Sequence, residues 1–162
     1  MNSKEVLQEV LRTARFVMST YLRDMTDADI HCAPAPGAHT AAWQLGHLLI
    51  SERAMIDGIS SGAGIELPER FEAEHAKDAI AGLSGERLEK RVYEDLMHRQ
   101  RSRTLQVLDQ LSESDLSLPA PEFVRAYAPC VGSVFSAIGG HELMHSGQIA
   151  VLRRVLNKPV VI

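Results

Sequence analysis

The stretch "VGSVFSAIGGHELMHSGQIAVLRRVL", Val131 to Leu156, decides the fold. Val134, Ile138, His141, His145, Gln148 and Leu152 recur at steps of three and four, which puts them on one helical face. Asn157 and Pro159 stop the helix, and Arg153 and Arg154 suit its negative C-terminal end. Three glycines, Gly139, Gly140 and Gly147, flank the histidines, although each costs ~1 kcal/mol relative to alanine inside a helix. A close helix–helix approach, a local bulge or room for a ligand would each account for them.

His141 to His145 reads H-E-x-x-H, the string of zinc metalloproteases. Residues four apart on a helix lie one above the other, so both imidazoles can face one ion. A catalytic zinc site needs a third protein ligand. The extended protease motif would place Gly at 148 and His at 151, where this chain has Gln148 and Val151. No His, Asp or Glu occurs in residues 146–162. A substrate-aligning edge strand is also missing from the helical pattern. The protease reading therefore fails, and the third ligand must lie upstream.

The upstream candidates are His31, His39, His47, His75, His98 and the carboxylates. His47 stands out. It lies in the apolar stretch "TAAWQLGHLLISE", in register with Trp43, Ile50 and Ala54, on a face expected to point inward. A buried imidazole needs a hydrogen-bond or metal partner. A lone His47 would be a core histidine bonded to a carbonyl; beside His141 and His145 it points to a metal.

Three further segments share the helical period. The first runs from about Lys4 to Met25, capped by Ser3, with Leu7, Leu11, Ala14, Met18, Tyr21 (or Leu22) and Met25 as its stripe. The second spans about Ala41 to Ile59, with Thr40 as cap. The third spans about Glu86 to Leu111, with Ser84 as cap and Tyr93, Met97, Thr104, Leu108 and Leu111 as its stripe. "TDADIHCAPAPGAHT" is a loop, and "IELPERFEAEHAKDAIAGLSG" is polar, with room for a short helix. No strand or repeat is predicted. The expected fold is an all-α four-helix bundle in one domain, 1–162. The long connection between helices two and three can return the chain along the bundle, so those two helices can run parallel.

Composition narrows the function classes. The net charge of −4 gives no general attraction to nucleic acid or an anionic membrane. The one basic stretch, "HRQRSR" (98–103), is read as a solvated helix face. The N-terminus lacks a signal-peptide core, no apolar run reaches membrane-span length, and Cys32 and Cys130 are read as free thiols of a cytoplasmic protein.

"W-Q-L-G-H" (43–47) together with "H-E-x-x-H-S-G-Q" (141–148) resembles the DinB-like superfamily of metal-dependent enzymes. "P-A-P-G-x-H-T-A-A-W" (34–43) and "I-A-V-L-R-R-V-L-N-K-P" (149–159) carry the same resemblance, which is weak across 60–130. It implies a bundle in up-down-down-up order and one divalent metal held by His47, His141 and His145. It does not fix the reaction. Some members transfer or isomerise with a low-molecular-weight thiol such as bacillithiol or mycothiol, and others are presumed hydrolases. It also implies a homodimer.

Three neutral imidazoles leave a divalent ion with its charge and open positions, so a bound water or thiol loses its proton readily. Zinc is the first choice for an all-imidazole set, with nickel, iron or manganese as alternatives. Glu142 points about 100° away from His141 around the helix. It is read either as a catalytic proton acceptor at the site edge or as an interhelical hydrogen-bonding group. Gln148 is read as supporting the ligands from behind, and Trp43, Met18, Met25, Met55, Met97 and Met144 as core. Glu52 either pairs with helix four or is solvated. The expected function is a metal-dependent thiol transferase or hydrolase acting on a small molecule. The rival is a non-catalytic metal-binding or stress-response bundle that senses or binds a partner.

Overall fold

Four long apolar stripes become four long helices, and several helix ends have an identifiable chemical cause. The computed structural model describes residues 1–77 and 87–162. The long helices are α1 (Ser3–Leu22), α3 (Ala41–Ile59), α5 (Lys90–Gln110) and α6 (Val131–Val155); two short ones, α2 (Asp27–Ile30) and α4 (Phe71–His75), lie in the connections. No strand forms among the described residues, only an isolated bridge between Pro119 and Cys130.

Several ends differ from expectation. Asn2, not Ser3, caps α1, in a reciprocal box with Glu5. The helix stops at Leu22, so Met25 is buried from the following loop instead. That loop also holds α2, capped by Thr26. The expected cap Ser84 and start Glu86 of the third long helix lie outside the described residues; α5 begins at Lys90, where Asp27 accepts a hydrogen bond from the Lys90 amide at 2.6 Å. Thr40 caps α3 as predicted, by accepting from the Trp43 amide. Asn157, at φ +54°, closes α6 in the left-handed conformation that asparagine tolerates.

Contacts between helices set their directions. Val10 meets Gly139, Arg15 pairs with Glu142, and Arg153 bonds to Tyr21 and Asp24, so α1 and α6 run parallel. Lys4 donates to Asp109 and Leu111 while Lys90 donates to Leu22 and Met25, so α1 and α5 are antiparallel. Gln44 meets His145, and Glu52 and Glu142 share Arg101, which makes α3 antiparallel to α6. The order is therefore up-down-down-up. Gly139 permits the close α1–α6 approach: a Cβ there would lie 2.6 Å from Val10 Cγ1.

The core has two apolar clusters. One gathers Met18, Leu45, Leu49, Tyr93, Met97 and Ile149; the other gathers Leu11, Ile56, Leu108, Val134, Phe135 and Ile138. Polar groups from all four long helices also meet in the interior. Arg101 donates from Nε and Nη2 to Glu52 (2.8 and 2.9 Å), from Nη2 to Glu142 (2.8 Å) and from Nη1 to the Leu11 carbonyl (2.7 Å). Arg15 Nε donates to the other Glu142 oxygen at 2.7 Å, and Thr104 donates to Glu52 at 2.6 Å. Two carboxylates thus face two guanidinium groups. Burial pushes the Glu52 carboxyl up, but Arg101, Arg15 and Thr104 outweigh it and hold it below the usual range. The expectation that 98–103 is a solvated face fails at Arg101, which is 6% exposed. Gln100 and Arg101 fill the gap between Met97 and Thr104 in the apolar stripe of α5.

Candidate metal centre

The α3 face carrying Trp43 and His47 was expected to point into the core. It lies at the core's edge instead: Trp43, His47 and Ile50 are half-buried and Ala54 is exposed. The buried face of α3 runs through Leu45, Leu49, Glu52 and Ile56. His39, Trp43 and His47 stack in series, with ring centroids 3.5 Å and then 4.8 Å apart and planes within 12° and 5°. Trp43, read as core from the sequence, is the middle ring of this stack.

His47 comes from α3, and His141 and His145 come from adjacent turns of α6. Their potential ligand atoms all lie within 4.8 Å of one another. The Nε2 atoms of His141 and His145 are 3.1 Å apart. For comparison, two ligands of a tetrahedral zinc ion are about 3.3 Å apart, given Zn–N bonds of about 2.0–2.1 Å. His145 Nδ1 lies 3.1 Å from Gln44 Oε1. An amide oxygen only accepts, so that bond puts the proton on Nδ1 and leaves the Nε2 lone pair facing His141. Two ring nitrogens this close must share a proton or a cation. His47 Nδ1 is buried without a hydrogen-bond partner.

Burial lowers all three imidazole pKa values. Burial and the His47 ring take His141 down to about 4. Burial and the His141, His47 and His39 rings take His145 down to about 4. Burial also lowers His47, against a smaller opposing pull from the His75 carbonyl. At neutral pH all three are neutral, the form that coordinates a metal. The donor set and its protonation state fit one divalent ion, and the His141–His145 pair already stands at ligand spacing. The full spread of 4.8 Å exceeds the roughly 4.2 Å that two Zn–N bonds can span, so His47 must draw in to share the ion.

A cleft of ≈ 890 Å³ opens beside the cluster, lined in part by Trp43, Ser51, Lys77, Tyr127, Met144 and Gln148. Among the described residues no carboxylate lines it. Gly140 also borders the cleft, and a Cβ there would meet nothing within 4 Å. Of the methionines read as core, Met144 is the exception: it is 57% exposed at the cleft wall.

The other expected site residues fall elsewhere. Glu142 is 1% exposed, does not line the cleft, and accepts from Arg15 and Arg101 with its two oxygens. The catalytic reading placed it at the site edge; it stands in the ion network instead. Gln148 is exposed, and the hydrogen bond to a ligand ring comes from Gln44. Sequence reasoning missed Gln44, whose signal was a polar residue within the apolar start of α3. His75 is 5% exposed, bonded to the Phe71 carbonyl and the Tyr93 hydroxyl at 2.8 and 3.1 Å. It sits in a notch left by Gly46, where a Cβ would fall inside its ring.

Comparison with known proteins adds three findings. The family model described as the DinB superfamily matches residues 11–149. No curated protein matches the chain. Among solved structures, a conserved protein from Enterococcus faecalis superposes with a TM-score of 0.75 at 20% identity, covering 98% of this chain and 99% of that one. That likeness concerns the fold alone.

Proposed function

The chain belongs to the DinB superfamily, and from that premise we propose that it is a metal-dependent enzyme acting on a small molecule. His47, His141 and His145 are the proposed ligands, zinc the first choice of ion, and a low-molecular-weight thiol the proposed cosubstrate. The observation that carries the reading is the convergence of three imidazoles from two helices on the wall of an open cleft. A divalent ion held there would supply Lewis acidity and lower the pKa of a coordinated water or thiol.

The chain's own groups do the rest. Gln44 fixes the ring of His145 and its tautomer. The Trp43 stack keeps the His47 plane in place. Lys77 supplies positive charge to the cleft. Glu142 is proposed to brace the helices rather than to act as a base, since guanidinium groups occupy both its oxygens. Attack of the deprotonated thiol on an electrophilic carbon, forming a C–S bond as the leaving group departs with the bonding pair, is favoured over hydrolysis by the family resemblance alone. The outer face of α6 exposes Leu143, Val151 and Val155 at 40%, 49% and 53% and is the proposed homodimer surface. Light scattering checks the dimer.

The test of the enzyme has two stages. Purified chain should carry about one divalent ion, lost on chelation. Incubation with a small thiol and a reactive electrophile should then give turnover that requires His47. Protein that takes up no metal, and gains no melting temperature from zinc or nickel, would sink the proposal. Metal without turnover across thiol and ester panels would favour the binding bundle.

A further inference from the structure

The cleft does not end at Met55. A second cavity of ≈ 550 Å³ shares Ser51, Met55 and Tyr127 with it and continues over Ile50 and Ala54. Two anchored walls border the shared path. On one side the α4 segment is pinned by His75 in the Gly46 notch, and the next two residues, Ala76 and Lys77, line the second cavity and the cleft in turn. On the other side stand Phe123 and Tyr127, each 61% exposed. Phe123 is seated on α3 at Gly58, where a Cβ would lie 2.9 Å from Pro121 Cγ and 3.2 Å from Phe123 Cε1. The turn that carries Phe123 is tied down by buried Val124 and by Arg125, which donates to the Ala120 carbonyl at 2.8 Å. Two large aromatic side chains held in the open along one cavity wall offer an apolar surface to a ligand.

We propose that the cleft and this second cavity form one groove for an elongated, apolar-tailed small molecule. Its polar head sits at the three histidines, and its tail passes Ser51 and Met55 to lie between Ala54, Phe123 and Tyr127. This deepens the proposed function and rests on it for the head group only. The occupant is a small molecule because the second cavity adjoins, through Ser51, Met55 and Tyr127, the cleft that the three histidines line. Arg53 and Glu72, paired at 2.6 Å, also line the second cavity and give the groove one polar wall. From His47 to Gly58 the helix advances roughly 16 Å, which sets the scale of the tail.

The test uses a homologous series of n-alkyl hydroxamates, acetyl to decanoyl, titrated into cobalt-loaded protein. Cobalt absorption reads the head. Emission from Trp43, the single tryptophan, reads the cleft. Affinity should rise about two- to fourfold per methylene and then level off. Ala54→Phe and Tyr127→Ala should flatten the series, with the longest members losing most. A flat series with acetohydroxamate still bound overturns the groove and leaves the metal centre standing. If no member perturbs cobalt, the placement of the head group at the three histidines fails, and n-alkyl carboxylates read by Trp43 emission in metal-free protein test the tail groove alone. Length dependence there supports it, and its absence overturns it. An unchanged slope in Tyr127→Ala together with a dimer turned monomer would make this face a subunit interface and overturn the proposal.

Discussion

Two polar clusters bridge α3 and α6, one inside the bundle and one at its edge, and they are built on opposite principles. The Glu52–Arg101–Glu142–Arg15 network is closed to solvent: both carboxylates accept from guanidinium groups and the charges balance, with Arg15 Nη2 left without a hydrogen bond, 3.9 Å from Glu52. The three-histidine cluster is open: it faces a cleft, its rings are neutral, and two of its nitrogens face each other at 3.1 Å. A closed network spends its polar groups on holding helices in register. An open one keeps lone pairs unspent, as a ligand site must. His141 and Glu142 are neighbours in the chain, yet they belong to different clusters, because one step turns 100° around a helix.

The largest expected effect breaks the closed cluster. Arg101→Ala strands Glu52 and Glu142 in the interior and should cost roughly 3–5 kcal/mol in urea unfolding. Glu142→Gln should also destabilise but leave metal stoichiometry intact, measured by elemental analysis of the folded fraction. A folded Glu142→Gln variant without metal would erase the division between the clusters.

Next in size, His145→Ala should abolish metal uptake while leaving the metal-free fold close to native. The wild type should gain about 2.7 kcal/mol of apparent stability when free zinc is 100 times its Kd, and the variant nothing. Gln44→Leu sharpens the comparison further. It removes the group that orients His145, so affinity should fall about 10–100-fold with the site still able to load, read by competition with a chromophoric chelator.

The smallest effect is a change of slope with pH. Glu52 titrates near 4.5 when unfolded and lower when folded. The folded state therefore releases the proton more readily, and the stability Glu52 contributes is present above pH 4.5 and lost as pH falls through its depressed folded value. Glu52→Gln should flatten that acid limb. An unchanged limb would mean that Glu52 is not held ionised by its partners.

The four long helices and the pairing of His141 with His145 on one helical face were legible, because period and spacing are local properties of the chain; His47 does lie beside them, on a face that borders the cleft rather than the core. Arg101 hid in a run of basic residues, although the missing turn between Met97 and Thr104 marked its place. Trp43 and Met144 were misread as core, since an apolar residue facing a cleft has the same spacing as one facing a neighbouring helix. Gln44 escaped because its partner lies in another helix.

By itself, the sequence determined which long segments are helical and that His141 and His145 share one helical face. Backbone hydrogen bonding and side-chain period act over a few residues, so a few residues suffice to read them. Only the tertiary structure decided that Glu142 joins Arg15 and Arg101, that Gln44 serves His145, and that the Trp43 face opens onto a cleft. Those outcomes depend on which helix faces which, and on the notches at Gly46, Gly58 and Gly139 that set how closely neighbouring segments pack.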